Sequence, residues 1–342
     1  MRKIKVAING AGRIGRAFFK IAHKRHELEV VALNDLGNID NIAYLLKYDS
    51  AYGPSGFDIK VAEDKKSLSI DGKKVEFVSE KDPTNLPWGH LGIDVVVEST
   101  GFFATFESAR AHIKAGAKRV VISAPAKDDP KDASEATVLM GLNEHDLEKC
   151  EVSSNASCTT NAASPVIQIL HEAIGIEKAV LSTTHAYTAS QSLVDGPSKK
   201  DLKEGRAAAH NIVPTSTGAA IAVTKVVKEL DGLFDGISLR VPVIAGSMAD
   251  VTFISKRPTS VEEVNSILKK AAGDERWKKT FSVTEEDLVS SDIVGSTYGA
   301  IADLNLTRVI GGNLVKVMTW YDNEMGYTHS LVEHVIKTGS FI

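Results

Sequence analysis

The chain has 342 residues, of which 43% are hydrophobic and 25% are charged, values typical of a globular protein with two domains. Its formal net charge of −4 argues against a broadly basic surface, so we expect no nucleic-acid partner. No run of about 18 apolar residues indicates a membrane span, so we expect no membrane partner. The two cysteines, Cys150 and Cys158, are too few for a disulfide framework and lack metal-ligand spacing. We therefore expect a cytoplasmic protein without a metal site.

A dinucleotide-binding pattern opens the chain. Alternating apolar residues predict a buried strand over residues 3–9, and a helical apolar period follows through Ala22. The turn between them reads Gly10, Ala11, Gly12, Arg13, Ile14 and Gly15. A second predicted strand, 28–33, ends at Asn34 and Asp35. Glycines at this spacing let the backbone approach a pyrophosphate at the helix N-terminus, so the pattern predicts a Rossmann-type domain.

Asp35 bears on which dinucleotide binds. A carboxylate accepts hydrogen bonds from an adenosine ribose diol but repels a 2′-phosphate. Two like charges about 4 Å apart repel by several kcal/mol at an effective dielectric constant of about 20. No arginine follows Asp35 to offset this repulsion, since the next residues are Leu36, Gly37 and Asn38. The sequence therefore favours NAD over NADP.

Further strands complete the predicted sheet. A hairpin over residues 68–78 precedes predicted strands over 93–98 and 118–122, with a helix over 105–115 between them. Parallel strands present ligand contacts at their carboxyl ends. The residues that follow these two strands are therefore candidate cofactor contacts, with ordinary turn chemistry as the alternative. They are Ser99, Thr100, Gly101 and Ser123.

A small polar segment, which reads SNASCTTN from Ser154 to Asn161, carries a candidate nucleophile. It joins a predicted strand over 150–155 to a helix pattern that ends at Gly175. This places Cys158 in the first turn of the helix. There, unpaired N–H groups and the helix dipole are expected to stabilise a thiolate and lower its pKa. The alternative is a small, buried hydrophobic residue.

Candidate partners of the cysteine follow. His185 directly follows a predicted strand over 179–184 and is a candidate base. An isolated histidine at the end of a strand is, however, often structural. The polar stretch 191–210 is too long for a plain connection and indicates a functional or interface loop.

Two features downstream suit anions. Thr217 and Gly218 open a helix pattern, whose N-terminus either binds an anion or is simply capped. Arg240, in strand-like sequence over 237–242, either forms a fork onto a phosphate or is merely exposed. A final amphipathic helix is predicted over 330–337.

Taken together, the motifs resemble those of phosphorylating glyceraldehyde-3-phosphate dehydrogenases. Behind an N-terminal INGAGRIGR, the chain carries SNASCTTN, HAYT, PTSTG, LRVP and WYDNEMGY in that order. The resemblance covers essentially the whole chain, and SNASCTTN at the start of a helix is a very specific signature. It implies an α/β fold, in which a Rossmann-type doubly wound parallel sheet is followed by a mixed, antiparallel-rich catalytic domain.

The resemblance implies a role for each matching position. Cys158 matches the family nucleophile and His185 its base. Thr188 and Arg240 match the site of the substrate C3-phosphate. The positions near inorganic phosphate are matched by Ser157, Thr159, Thr217 and Gly218, with Arg206 near both anions. The NAD contacts are matched by Gly10, Gly12, Arg13, Ile14, Gly15, Asp35, Ser123, Asn323 and Tyr327.

The implied organisation has an NAD-binding domain over 1–157 and a catalytic domain over 158–321, with a C-terminal helix, 322–342, that returns to the first domain. An S-shaped loop, about 187–210, lies between subunits in the family and implies a homotetramer. In the implied reaction, Cys158 adds to the aldehyde of glyceraldehyde 3-phosphate. Hydride transfer to NAD leaves a thioester, which inorganic phosphate releases as an acyl phosphate.

Three positions depart from the common family pattern. Ala162 stands where a second cysteine is frequent, Met325 replaces a frequent tryptophan, and the strand over 244–249 differs. Two other functions remain open at this point. One is the related erythrose-4-phosphate dehydrogenase, and the other is a non-catalytic NAD-binding redox sensor in which Cys158 is an oxidation switch.

Overall fold

The computed structural model describes residues 2–198 and 201–342, which form two compact units. Residues up to Ala156 form unit 1 together with Leu331–Ile342, and Ser157–Ser330 form unit 2. Residues 199 and 200 of the expected S-shaped loop lie outside the described residues. In the described part of the chain, no helix is both long enough and apolar enough to cross a membrane.

Strands and short helices alternate along unit 1. Its strands are β1 (Ile4–Asn9), β2 (Leu28–Asn34), β3 (Ile59–Val61), β4 (Ser67–Ile70), β5 (Lys73–Val78), β6 (Val95–Glu98), β7 (Arg119–Ile122), β8 (Glu135–Thr137) and β9 (Val152–Ser154). Its helices are α1 (Arg13–Ala22), α2 (Ile39–Lys47), α3 (Trp88–Leu91), α4 (Phe106–Ala109) and α5 (Ala111–Lys114).

Unit 2 has longer strands. They are β10 (Ile176–Ala186), β11 (Val213–Ser216), β12 (Phe234–Val241), β13 (Ser247–Ser255), β14 (Phe281–Thr284), β15 (Ala300–Ile310) and β16 (Leu314–Tyr321). Its helices are α6 (Cys158–Ile174), α7 (Ala219–Thr224), α8 (Val261–Ala272) and α9 (Ser290–Ile293). The last helix, α10 (Met325–Gly339), begins in unit 2 and ends in unit 1.

The sheet of unit 1 has the strand order β3-β4-β5-β2-β1-β6-β7-β9-β8. The strands from β5 to β8 along this order pair in parallel, and β3 and β4 add an antiparallel hairpin at one edge. β1 pairs with β2 on one side and with β6 on the other, so the winding reverses between β1 and β6. A doubly wound sheet binds its ligand at the carboxyl ends of the strands beside such a reversal. The predicted Rossmann-type sheet is confirmed.

Two helix boundaries differ from the sequence prediction. The single helix expected over 105–115 is divided into α4 and α5 at Arg110, whose side chain is held by Glu135 and Glu151. The last helix begins at Met325 rather than at residue 330. The carboxylate of Asp322 accepts hydrogen bonds from the N–H groups of Glu324 and Met325, and this cap stabilises an earlier first turn.

The sheet of unit 2 has the strand order β11-β12-β10-β13-β16-β15-β14. Four of its pairings are antiparallel, and β10–β12 and β14–β15 are parallel, as the predicted mixed, antiparallel-rich sheet requires. Helix α6 is buried over most of its length and packs against α7, α8 and this sheet. Gly175, the predicted stop signal, ends α6 with a φ of 71°, which glycine adopts without strain.

Candidate active site and dinucleotide cavity

Cys158 is the first residue of α6, as the sequence predicts. The side chain of Ser157 caps this helix by accepting a hydrogen bond from the N–H of Thr160 at 3.0 Å. Ala156, just before the cap, is buried and has a φ of 54°, a left-handed conformation that is costly for alanine. This strained turn delivers the cysteine to the helix N-terminus.

His185 lies next to the cysteine. Its Nε2 is 3.4 Å from Cys158 Sγ, and the residue is only 3% exposed. It stands near the end of β10, where the parallel register with β12 places Arg240 directly opposite. Arg240 Nη1 approaches His185 Nδ1 to 2.6 Å. The strand register therefore brings three predicted residues, Cys158, His185 and Arg240, into one group.

Two hydrogen bonds compete for His185 Nδ1. Its proton, when present, is donated to the carbonyl oxygen of Ala186 at 2.6 Å. When Nδ1 is unprotonated, it accepts a hydrogen bond from Arg240 at the same distance. The first tautomer leaves an acceptor lone pair on Nε2 beside the thiol, and only that tautomer serves as a base.

The expected lowering of the cysteine pKa is wrong for the structure as it stands. Cys158 is half-buried as a residue, but its thiol is desolvated, and this desolvation raises the pKa of the thiol. The charge of Arg240 and the N–H of Thr159 lower that pKa and only partly offset the increase. Burial also lowers the pKa of His185 to about 3, with a further contribution from Arg240. The resting pair is therefore a neutral thiol beside a neutral imidazole.

A tyrosine that the sequence motifs did not single out, Tyr321, borders this group. Tyr321 is buried at the end of β16, and its ring meets His185 edge to face at 5.8 Å. Its hydroxyl lies 3.0 Å from the hydroxyl of Thr159. Burial keeps the pKa of Tyr321 well above its usual range, so the phenol stays protonated. Its position two residues before the candidate Asn323, in the same motif, was the sequence signal that could have placed it at the site.

Asn323 is buried and has a fixed side chain. Ser247 Oγ accepts a hydrogen bond from the N–H of Ala186 at 3.1 Å and donates to Asn323 Oδ1 at 2.9 Å. Asn323 therefore keeps its NH₂ group for another partner. Because Ala186 follows His185 directly, this chain ties Asn323 to the end of β10 that carries the candidate base. Ser247 lies in the segment that departs from the common family pattern, and sequence reasoning did not identify it.

The remaining predicted anion residues occupy less enclosed positions. The amide and hydroxyl of Thr188 both donate to Gln191 Oε1, a third residue that sequence reasoning missed. Thr217 Oγ1 accepts from the N–H of Ala219, and Gly218 is the N-cap of α7, which is the capping role weighed as their alternative. Arg206 does not join Arg240: its side chain is 62% exposed and pairs with Asp195 at 2.8 Å.

A cavity of about 490 Å³ lies at the carboxyl ends of the parallel strands of unit 1. Five predicted cofactor residues line it, namely Gly10, Gly12, Asn34, Asp35 and Thr100. A sixth, Ser99, lines it as well, whereas sequence reasoning did not single out Asn9, Leu36, Glu80, Lys81, Pro83, Phe102 and Phe103. The adjacent aromatic residues Phe102 and Phe103, directly after Gly101, were the sequence signal for this cavity.

The glycine turn fits the predicted dinucleotide. A Cβ on Gly15 would lie 2.0 Å from the carbonyl oxygen of Gly10, so that position requires glycine for packing. A Cβ on Gly12 meets nothing within 4 Å, although Gly12 lines the cavity, so the space beside it admits a ligand. Asp35 accepts hydrogen bonds from Ala11 and Gly37, both at 2.7 Å, and thereby ties the turn to the end of β2.

The other predicted cofactor residues are distributed more widely. Arg13, Ile14 and Gly15 form the first turn of α1, and Arg13 pairs with Asp49 at 2.9 Å. Gly101 and Ser123 follow β6 and β7. Tyr327 is buried in α10, within unit 2.

Comparison with known proteins gives one consistent family. Residues 4–106 match the glyceraldehyde 3-phosphate dehydrogenase NAD binding domain, and residues 157–323 match the C-terminal domain of the same family. The chain is 47% identical over 333 residues to a glyceraldehyde-3-phosphate dehydrogenase from Clostridium pasteurianum, which covers 96% of each chain. The enzyme of that name from Geobacillus stearothermophilus is 46% identical over 96% of each chain. That from Streptomyces coelicolor is 44% identical over 98% of this chain and 99% of its own.

Proposed function

The chain belongs to the glyceraldehyde-3-phosphate dehydrogenase family, and we propose that it oxidises and phosphorylates D-glyceraldehyde 3-phosphate to 1,3-bisphosphoglycerate with NAD, a step of glycolysis and gluconeogenesis. The observation that carries the proposal is the group of three side chains in unit 2. A cysteine thiol at a helix N-terminus lies 3.4 Å from an imidazole, which itself lies 2.6 Å from an arginine.

Cys158 is the nucleophile in this proposal and His185 its general base. As Sγ bonds to the aldehyde carbon, Nε2 takes the thiol proton and passes it to the carbonyl oxygen, which gives a thiohemiacetal. The backbone N–H groups at the start of α6 stabilise negative charge on that oxygen. The oxidised nicotinamide, when bound, supplies the acceptor for the hydride. Nε2 then takes the hydroxyl proton, and a thioester on Cys158 remains.

Inorganic phosphate completes the reaction. The hydrogen phosphate attacks the thioester carbon, the bond to Sγ breaks, and the imidazolium of His185 returns its proton to the leaving thiolate, while the proton of the phosphate is released to solvent. In the proposal, Thr188 and Arg240 hold the phosphate of the substrate. The attacking phosphate is held by Ser157, Thr159, Thr217 and Gly218, with Arg206 contributing from its loop. Arg240 supports this assignment best, because its guanidinium already faces the base.

For the cofactor, we propose that the glycine turn and Asp35 hold the ADP part of NAD. The Asp35 carboxylate suits a ribose diol and disfavours a 2′-phosphate. The remaining contacts proposed in unit 1 are Arg13, Ile14, Asn34, Thr100, Gly101 and Ser123. Asn323 presents its NH₂ group to the nicotinamide carboxamide, and Tyr327 lies near the ring in the same proposal. Ser247 supports this, since it already engages Asn323 Oδ1.

We extend the proposal to organisation and location. Residues 1–157 with 322–342 act as the NAD-binding domain and 158–321 as the catalytic domain. In the described part of the S-shaped loop, the N–H of Gly196 donates to the carbonyl oxygen of Gly205 at 2.9 Å, and Leu193, Val194 and Leu202 are exposed. Such apolar side chains suit a subunit interface, which supports a homotetramer. Two free cysteines support a reducing, cytoplasmic location.

The test compares the two cysteines. We expect NADH formation from glyceraldehyde 3-phosphate and NAD to depend on inorganic phosphate and to be abolished by Cys158→Ser. Cys150→Ser is the matched control and keeps full activity, because Cys150 is buried in unit 1 and burial raises its pKa to about 11. Faster turnover of erythrose 4-phosphate would assign the related dehydrogenase instead. NAD binding without turnover of either substrate would favour a redox sensor.

A further inference from the structure

A connected set of buried polar side chains borders the cavity of unit 1, and apart from Asn34 none of its members has a role in the function proposed above. We call it the Glu98 network. Its members are Asn9, Asn34, Trp88, Glu98 and His112, each no more than 5% exposed. A buried carboxylate is costly unless hydrogen-bond donors surround it.

Glu98, at the end of β6, is 2% exposed and accepts four hydrogen bonds. Oε2 accepts from Asn9 Nδ2 at 2.6 Å and from His112 Nε2 at 3.0 Å. Oε1 accepts from the amide of Thr100 at 2.8 Å and from its hydroxyl. Four hydrogen bonds to two oxygens therefore hold the Glu98 side chain in one orientation.

Trp88 fixes the tautomer of His112. The indole N–H donates to His112 Nδ1 at 3.0 Å, so Nδ1 carries no proton and Nε2–H points at Glu98. The histidine is therefore a neutral donor. Within residues 2–198 and 201–342, hydrogen bonds hold the Glu98 carboxylate, and the indole of Trp88 fixes the orientation of its His112 partner.

The network reaches the cavity at several points. Asn9 and Thr100, which Glu98 holds directly, both line it. Asn9 Oδ1 accepts from Asn34 Nδ2 at 2.6 Å, and Asn34 in turn bonds to the backbone of Glu80, another lining residue. The bond between Asn9 and Glu98 also crosses from β1 to β6, where the winding of the sheet reverses.

We propose that Glu98 is a positioning residue for the cofactor, which fixes Asn9 and the turn at Thr100 in the arrangement that binds the ADP part of NAD. This inference rests on the proposed function. Without the carboxylate, Asn9 at the end of β1 and Thr100 after β6 lose the side chain that holds both of them. The ligand must then order this part of the cavity as it binds. That ordering weakens binding of every ligand that shares the ADP part.

The first test is Glu98→Gln. The NH₂ group of a glutamine replaces one of the two carboxylate oxygens. It then faces donors, those of Thr100 on one side or those of Asn9 and His112 on the other, and the hydrogen bonds on that side are lost. We expect the Kd of both NAD and ADP-ribose to rise about tenfold, as loss of a hydrogen bond to a charged group implies. Because the variant leaves unit 2 unchanged, kcat at saturating NAD should stay close to wild type.

Glu135→Gln is the matched control. Glu135 is also buried in unit 1, at 3% exposed, but it pairs with Arg110 and the amide of Lys131 rather than with residues of the cavity. We expect it to lower the melting temperature without changing either Kd. If Glu98→Gln behaves like this control, the network is only structural and the inference is wrong.

Trp88→Phe keeps the test decisive if Glu98→Gln does not fold. It removes the indole donor that fixes His112 but keeps an aromatic ring in the core. We expect a Kd for ADP-ribose about threefold higher, and an unchanged Kd would overturn the inference. Wild-type protein that binds NAD but does not oxidise glyceraldehyde 3-phosphate would refute the proposed function and leave this inference standing. Failure of the wild type to bind NAD would refute both.

Discussion

Arg240 acts on both members of the proposed catalytic pair, Cys158 and His185. Its positive charge stabilises a thiolate on Cys158 and disfavours a second positive charge on His185. The two influences pull in opposite directions on proton transfer from sulfur to nitrogen. Sequence reasoning identified all three residues, because each ends or begins a recognisable element. It could not find the 2.6 Å contact, which depends on the register of β10 and β12.

Replacing Arg240 with leucine tests this balance. Because the pKa of His185 is about 3, the imidazole stays neutral above pH 5 and thiolate formation depends on Arg240. We expect Arg240→Leu to move the pH midpoint for alkylation of Cys158 by iodoacetamide upward. Arg257→Leu is the control, since Arg257 pairs with Glu263 on the surface of unit 2. A downward movement would contradict the prediction and indicate that an imidazolium at His185 controls the thiolate.

At the scale of elements, periodicity predicted strands better than it predicted helix boundaries. Strands β1, β2, β6 and β7 lie within a few residues of their expected positions, because their apolar runs are buried in a parallel sheet. The start of α10 was missed because its cap, Asp322, lies inside a motif that was interpreted for its asparagine. The Glu98 network was missed because its members are far apart in sequence and ordinary one by one.

The glycines of the first turn have separable roles at this scale. We expect Gly15→Ala to destabilise unit 1 strongly, because its Cβ would overlap the carbonyl oxygen of Gly10. Gly12→Ala should leave stability within about 1 kcal/mol of wild type but raise the Kd of NAD, because the new methyl group enters open space beside the cavity. Urea unfolding and NAD titration of both variants make the comparison. Equal effects of the two substitutions on stability would contradict it.

At the scale of the whole molecule, each unit contains a buried neutral histidine. His334 in unit 1 lies between Ser153 and Asn155, with ring nitrogens 2.8 Å and 3.0 Å from their side-chain oxygens. Burial lowers its pKa to about 3, the same value as for His185 in unit 2. A histidine in an unfolded chain titrates near pH 6.5. The unfolded state therefore binds more protons than the folded state between these values.

This difference predicts acid sensitivity. Stability is fully retained above about pH 6.5 and falls as the pH drops toward 3, by about 2 kcal/mol for each histidine over the first 1.5 pH units below 6.5. Urea midpoints measured from pH 7.5 to pH 5 should show the decline. His334→Gln should reduce the slope for unit 1, whereas His145→Gln, which alters an exposed histidine, should not. Identical slopes for wild type and His334→Gln would refute the assignment.

The close packing of Gly10 against the turn after β6 constrains any attempt to redesign cofactor preference. A Cβ on Gly10 would lie 2.7 Å from the amide nitrogen of Thr100, and Ser99 Oγ already donates to the carbonyl oxygen of Gly10 at 2.8 Å. The glycine turn at Gly10 and the turn after β6 therefore pack as one unit, although 89 positions separate Gly10 from Ser99 in the chain. If the glycine turn is replaced by that of an NADP-dependent enzyme, the turn at Ser99 and Thr100 must be replaced with it. Mutant libraries that vary one turn at a time would not contain the paired changes that a conversion from NAD to NADP needs.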